Sequence, residues 1–145
     1  KNDKICTDIG SGSGLPGIVL AIIMKYRKSD IEFHLYEKSY HKCNFLREVS
    51  KKFDLNTKVY QKNIFEENNL ITDLIVARAF KPLPIILDMA TENFSKFKNI
   101  ILFLGKNGKE TLRESLSKWQ FEYKEKKSLT SEVSYLIKIS NLKKK

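Results

Sequence analysis

Apolar residues recur along this chain in two alternating periods. "KICTDI" (residues 4–9) reads as a buried strand, and "LPGIVLAIIMKYRK" (15–28) as a helix that tolerates Pro16 in its first turn. "IEFHLYEK" (31–38) alternates as a second strand, while Cys43, Leu46, Val49 and Phe53 return at helical spacing in "YHKCNFLREVSKKFDL" (40–55). Strands at "TKVYQKN" (57–63) and "DLIVARA" (73–79), a helix at "LPIILDMATENFSKF" (83–97), a strand at "NIILFLG" (99–105) and a helix at "KETLRESLSKW" (109–119) continue the alternation. The last two strands, "FEYKEKKS" (121–128) and "SYLIKIS" (134–140), have no helix between them, which predicts an antiparallel hairpin at one sheet edge. Strand and helix in alternation predict an open, mostly parallel α/β sheet. No internal repeat or long linker breaks the pattern, so residues 1–145 read as one domain.

On such a sheet, ligands bind beyond the carboxyl ends of the strands. The first strand-to-helix loop therefore matters most, and "DIGSGSGLPG" (8–17) spends four glycines and a proline there. Gly12 and Gly17 have the spacing of a triphosphate-binding loop, but Ile18 and Val19 stand where Lys and Ser or Thr must reach phosphate and magnesium. Gly12, Gly14 and Gly17 also spell the dinucleotide fingerprint, with Glu37 20 residues after Gly17. Asp8 speaks against that reading, because a carboxylate two residues before Gly10 would face the pyrophosphate across a short distance. A cationic ligand without phosphate suits the loop better. S-adenosylmethionine would lay its methionine part across the bare backbone of Gly10, Gly12 and Gly14, with Asp8 answering its ammonium, directly or through water, and Glu37 accepting both ribose hydroxyls. The plain alternative is a tight turn beside two surface acids.

Charge adds a partner class. The 27 Lys and Arg outnumber 17 Asp and Glu, a net charge of +10, which favours a polyanion, most often nucleic acid. Only Arg27, Arg47, Arg78 and Arg113 are arginines, so a lysine-rich composition bias is the competing explanation, and Lys143 to Lys145 can be a solvated tail. No stretch approaches a membrane span and no signal-peptide pattern precedes the first strand, so the expectation is a soluble, cytoplasmic protein. Cys6 and Cys43 lack the spacing of a metal site or disulfide framework and read as packing residues. His34 and His41 lack partners at metal-binding spacing, so no metal is expected.

"DIGSGSGLPGIVLAI", "EKSYHKCNFLREV" and "ARAFKPLP" together resemble the glucose-inhibited-division-B family (RsmG), bacterial methyltransferases that place a methyl on guanine N7 in 16S ribosomal RNA. The likeness runs from about Ile5 to the final strand, and Gly-Leu-Pro-Gly at 14–17 and Ala-Arg-Ala at 77–79 are its most particular parts. It implies a Rossmann-like class I S-adenosylmethionine-dependent methyltransferase. The sheet would be mostly parallel and seven-stranded, with an antiparallel C-terminal edge hairpin. It also implies cofactor contacts at Gly10, Leu15, Ile64, Phe65 and Arg78, and a monomer acting on 16S ribosomal RNA or the small ribosomal subunit. Two departures stand out. The family's helical segment before the first strand has no counterpart in this sequence, and its Lys-Gly after the fifth strand is Leu104-Gly105 followed by Lys106.

The chemistry expected of that reaction agrees with the residues. Guanine N7 carries a free lone pair, so transfer needs alignment and charge placement and no base. No Asn-Pro-Pro-aromatic motif, suited to exocyclic amines, follows the fourth main strand, and neither cysteine sits where a pyrimidine nucleophile would. That strand ends instead in "ARAF", which singles out Arg78 as the catalytic candidate; a structural ion pair to Asp8 or Glu37 is its plainer role. Tyr40, Phe65 and Phe80 are candidates for stacking on a splayed base or on the cofactor's adenine, with core packing as their plainer role. Two other function classes stay open: a cofactor-fold RNA-binding module that has lost chemistry, and a small-molecule methyltransferase.

Overall fold

The structure, a computed structural model, describes residues 3–78 and 80–145. Ala79, the last residue of the predicted strand 73–79 and of the Ala-Arg-Ala segment, lies outside the described residues. In chain order the elements are β1 (Ile5–Ile9), α1 (Gly17–Tyr26), β2 (Glu32–Glu37), α2 (Tyr40–Lys52), β3 (Thr57–Gln61), β4 (Leu70–Ile71), β5 (Leu74–Arg78), α3 (Leu83–Asn93), β6 (Phe94–Lys96), β7 (Asn99–Leu104), α4 (Gly108–Lys118), β8 (Trp119–Lys127) and β9 (Tyr135–Lys144). The main sheet has seven strands in the order β3-β2-β1-β5-β7-β9-β8, and β4 pairs with β6 in a separate two-stranded ribbon. The five strands from β3 to β7 in that order run parallel, whereas β9 is antiparallel to both β7 and β8. This is the expected seven-stranded sheet with its edge hairpin.

Each central strand is buried on both faces, because helices cover both. In β5, Ile75 and Ala77 join the core beneath α3 and α4, while Val76 between them joins the core beneath α1 and α2. The first core continues through Leu87, Ile100, Leu102, Trp119 and Ile137; the second holds Cys6, Ile18, Phe33, Leu35 and Leu46. Both cysteines are free and fully buried, in keeping with packing roles. Edge strand β8 buries only Trp119 and Phe121 and exposes the rest. Its lysines guard an open edge against pairing with another chain.

Helix boundaries differ from the sequence reading by one to four residues, α2 for instance stopping at Lys52, and two of the shifts have a local cause. Pro16 is the N-cap of α1 and follows a cis peptide bond, so the helix starts at Gly17. The helix read over 83–97 stops at Asn93, because Phe94–Lys96 extends to pair with β4. No helix among the described residues is long and apolar enough to cross a membrane.

Candidate cofactor site

Four connections at the carboxyl ends of β1, β2, β3 and β5 meet around one cavity of about 960 Å³. The β1–α1 loop gives one wall. Gly10 adopts φ +68°, and a Cβ there would run into the ring of Phe80, so only glycine permits this approach. Glu37, the last residue of β2, braces the same loop: its carboxylate accepts the Gly12 N–H at 2.9 Å through Oε2 and the Ser39 N–H at 2.9 Å through Oε1. Ser39 caps α2, so this single side chain ties the glycine loop to the start of the next helix.

Behind β3, Asn63 opens a short 3-10 turn over Ile64–Glu66 and accepts the Phe65 N–H at 3.3 Å. The Asn93 amide, from the end of α3, donates to the Ile64 carbonyl at 3.2 Å and fixes that turn from below. Ile64 is thereby buried, and the ring of Phe65 stands in the cavity, stacked on Phe80 with centroids 5.8 Å apart and planes 18° apart. Arg78 ends β5 exposed on the cavity wall. Among the described residues no carboxylate lies within ion-pair distance of it. The structural ion pair to Asp8 or Glu37 is therefore not formed here.

Of the residues singled out in the sequence, Gly10, Gly12, Leu15, Glu37, Ile64, Phe65 and Arg78 line this one cavity. Asp8 and Gly14 stand behind it. Gly14, at φ +93°, packs against Ile18 and Leu46, and Asp8 is fully buried beneath the loop. Asp8 Oδ2 accepts the Gly17 N–H at 3.0 Å and so anchors the first turn of α1. Its other oxygen has no hydrogen-bond partner among the described residues. Burial raises its carboxyl to about 7, the nearby charge of Glu37 adding to the rise and the Gly17 bond opposing it.

Lys38, Lys42, Lys62 and Lys81 at the cavity mouth were not picked out from the sequence. In a chain with this many lysines, only the fold tells the few at the mouth from the rest. Tyr40 is exposed outside the cavity, its ring edge-on to His41. No group of His, Cys, Asp and Glu among the described residues could hold a metal ion.

The donor set fits S-adenosylmethionine. The glycine backbone leaves room for a chain to lie across it, Glu37 retains acceptor capacity for hydroxyls, Phe65 offers a ring face, and Arg78 presents a cation without an ion-pair partner among the described residues. The architecture is that of the class I S-adenosylmethionine-dependent methyltransferases. It matches M. capricolum TrmK in complex with S-adenosyl-homocysteine at a TM-score of 0.68 and 18% identity, over 94% of this chain and 62% of that one. It matches M. jannaschii TYW2 in complex with AdoMet at 0.65 and 15%, over 99% and 70%. Within that class, residues 1–137 match the family described as rRNA small subunit methyltransferase G, GidB, and the chain belongs to it. The ribosomal RNA small subunit methyltransferase G of Pelagibacter ubique (strain HTCC1062) is 54% identical over 99% of this chain and 68% of its own length. That of Dinoroseobacter shibae is 36% identical over 94% and 70%. The chain thus spans about two thirds of the length of these relatives.

Proposed function

We propose that this chain holds S-adenosylmethionine in the 960 Å³ cavity and directs its methyl group to N7 of a guanine in 16S ribosomal RNA. The observation that carries the reading is the convergence of Gly10, Glu37, Phe65 and Arg78 on one cavity in a member of the small-subunit rRNA methyltransferase G family. The bound cofactor supplies an electrophilic methyl on a sulfonium. The chain would supply position: the glycine loop and Glu37 would hold the donor, Ile64 and Phe65 would offer apolar surface to it, and Arg78 would place a positive charge on the cavity wall. Guanine N7 would act through its own lone pair: as its bond to the methyl carbon formed, the C–S bond would break with its electron pair left on sulfur, and no side chain would need to take a proton.

The lysines support an RNA substrate by their distribution. At the amino ends of the strands, Lys98 bridges Asp73 at 2.7 Å and Asp3 at 3.0 Å, Lys4 meets Asp30, and Lys58 meets Glu32 at 3.2 Å, whereas Arg27 and Lys28 have no ion-pair partner among the described residues. At the cavity mouth Lys62 pairs with Glu67, but Lys38, Lys42, Lys81 and Arg78 have no ion-pair partner among the described residues. One cofactor carboxylate cannot use four cations, and RNA phosphates can.

Calorimetric titration with S-adenosylhomocysteine, followed by mapping of any methyl placed on 16S ribosomal RNA, tests the reading. Glu37→Ala should weaken cofactor binding by about 2–4 kcal/mol, through lost charge-assisted hydrogen bonds and a loosened Gly12 backbone. Parental affinity in that variant would move the cofactor elsewhere.

A further inference from the structure

The stretch Lys38-Ser39-Tyr40-His41-Lys42, which spans the β2–α2 connection and the first residues of α2, interleaves cations with aromatic rings. Lys38 and Lys42 line the cofactor cavity, and Tyr40 stands beside it on the outside. Tyr40 is 59% exposed, and its ring meets that of exposed His41 edge-on, with centroids 5.5 Å apart and planes 73° apart. Rings at that angle cover little of each other's faces, so the pair is ordered and still open to a further ring. Neither lysine has an ion-pair partner among the described residues. The adjacent acid, Glu37, directs its two oxygens to the Gly12 and Ser39 N–H groups instead. Other exposed rings are set differently. Tyr26 and Phe53 stand where α1 and α2 finish, at the amino ends of the strands, and Phe65 is inside the cofactor cavity.

We infer that Tyr40 and His41 form a stacking platform for an unpaired nucleotide that neighbours the target guanine in the RNA strand, with Lys38 and Lys42 holding the phosphates beside it. The inference rests on the RNA-methyltransferase reading above and extends it to the strand beyond the reacting base. An unpaired base can lay a face on an aromatic side chain, whereas a base inside a duplex is already covered by its neighbours. A ring braced by another ring stacks with little further loss of freedom. The two lysines bracket the ring pair in the chain and also line the cavity, so a strand held at the platform leads to the place where the methyl donor sits. Their charge attracts a phosphate backbone of any sequence, and the rings favour the part of it that is single-stranded.

The test compares the parent with Tyr40→Ala and Tyr40→Phe by fluorescence anisotropy on a labelled fragment of 16S ribosomal RNA, single-stranded or annealed to its complement, over a salt series. Melting temperature and affinity for S-adenosylhomocysteine are measured on the same preparations. Tyr40→Ala should bind the single strand at least about fivefold more weakly than the parent at every salt concentration. The slope of log affinity against log salt should stay parental, because a stacked ring releases no counterion. Tyr40→Phe keeps the ring and should keep parental affinity, and the duplex should bind all three proteins alike. Both variants should share the parent's melting temperature and bind S-adenosylhomocysteine within about twofold of it, since Tyr40 lies on the surface outside the cavity. Parental affinity for the single strand in Tyr40→Ala would overturn the platform. So would an equal loss in Tyr40→Phe, which would credit the hydroxyl, a changed salt slope, which would credit displaced lysines, or an equal loss on the duplex. Any of these leaves the proposed function standing where the parent binds S-adenosylhomocysteine and methylates 16S ribosomal RNA; a parent that does neither removes the proposed function and the platform together.

Discussion

Asp8 lies fully buried beneath the glycine loop, where burial and the charge of Glu37 push its carboxyl up to about 7. An unfolded aspartate titrates near about 4, so the folded state binds the proton more tightly. The resulting stabilisation is complete below about pH 4 and is lost as pH rises through about 7. Asp8→Asn keeps an acceptor for the Gly17 N–H and removes the charge. The variant should therefore gain on the parent as pH rises from about 4 to about 7 in denaturant midpoints; a gap that does not change with pH would remove the buried charge from the account. Arg78 makes the contrasting prediction. Exposed on the cavity wall and without an ion pair among the described residues, it contributes little to the fold. Arg78→Lys keeps the charge but loses the planar fork, and methyl transfer should fall by about 10–100-fold with the melting temperature unchanged. A lowered melting temperature with unchanged turnover per folded molecule would make Arg78 structural. Glu37 at a strand end was legible in the sequence, because strand period and acid position fix it locally. The burial of Asp8 was not, because only the packing of α1 over β1 puts Gly17 against its carboxylate.

Among the elements, three parallel strands are fastened at their amino ends by one residue. Asp73 precedes β5; its carboxylate accepts the Lys4 and Ile5 N–H groups at 2.8 and 3.1 Å and pairs with Lys98 Nζ at 2.7 Å ahead of β7. The Lys98 bond and the two backbone donors hold its carboxyl down at about 2. Asp73→Ala should cost about 1–3 kcal/mol in equilibrium unfolding at neutral pH, the partial exposure of the ion pair keeping the figure modest. Because the folded value is depressed, that stabilisation is present above about pH 4 and disappears as pH falls through about 2, where parent and variant should converge. A gap that persists in acid would place the effect in the backbone turn instead. The long elements were readable because each repeats its period several times. The ribbon of β4 and β6 was not, since Leu70–Ile71 and Phe94–Lys96 are too short to show a period and "NFSK" carries the helical pattern of α3 onward. What converts those residues to strand is the partner alongside, which no local pattern contains.

Over the whole molecule, a net charge of +10 favours a polyanion. At the amino ends of the sheet Lys4, Lys25 and Lys98 pair with Asp30, Asp54, Asp3 and Asp73, and Lys144 at the far end of β9 is held by Asp88 at 3.1 Å. Lys38, Lys42 and Lys81, without an ion-pair partner among the described residues, line the cofactor cavity, so their charge would draw a polyanion toward it. Binding to 16S ribosomal RNA should weaken linearly in log affinity against log salt, with a slope set by the number of phosphates neutralised. Replacing both Lys42 and Lys81 by Gln should reduce that slope by about 2, whereas Lys98→Gln should leave it unchanged, because Lys98 already faces carboxylates. Fluorescence anisotropy with a labelled RNA fragment over a salt series reads both effects on one titration. Equal slopes for the parent and the double variant would place the RNA on another face, and a larger loss from Lys98 would place it at the amino ends of the strands, away from the cofactor cavity.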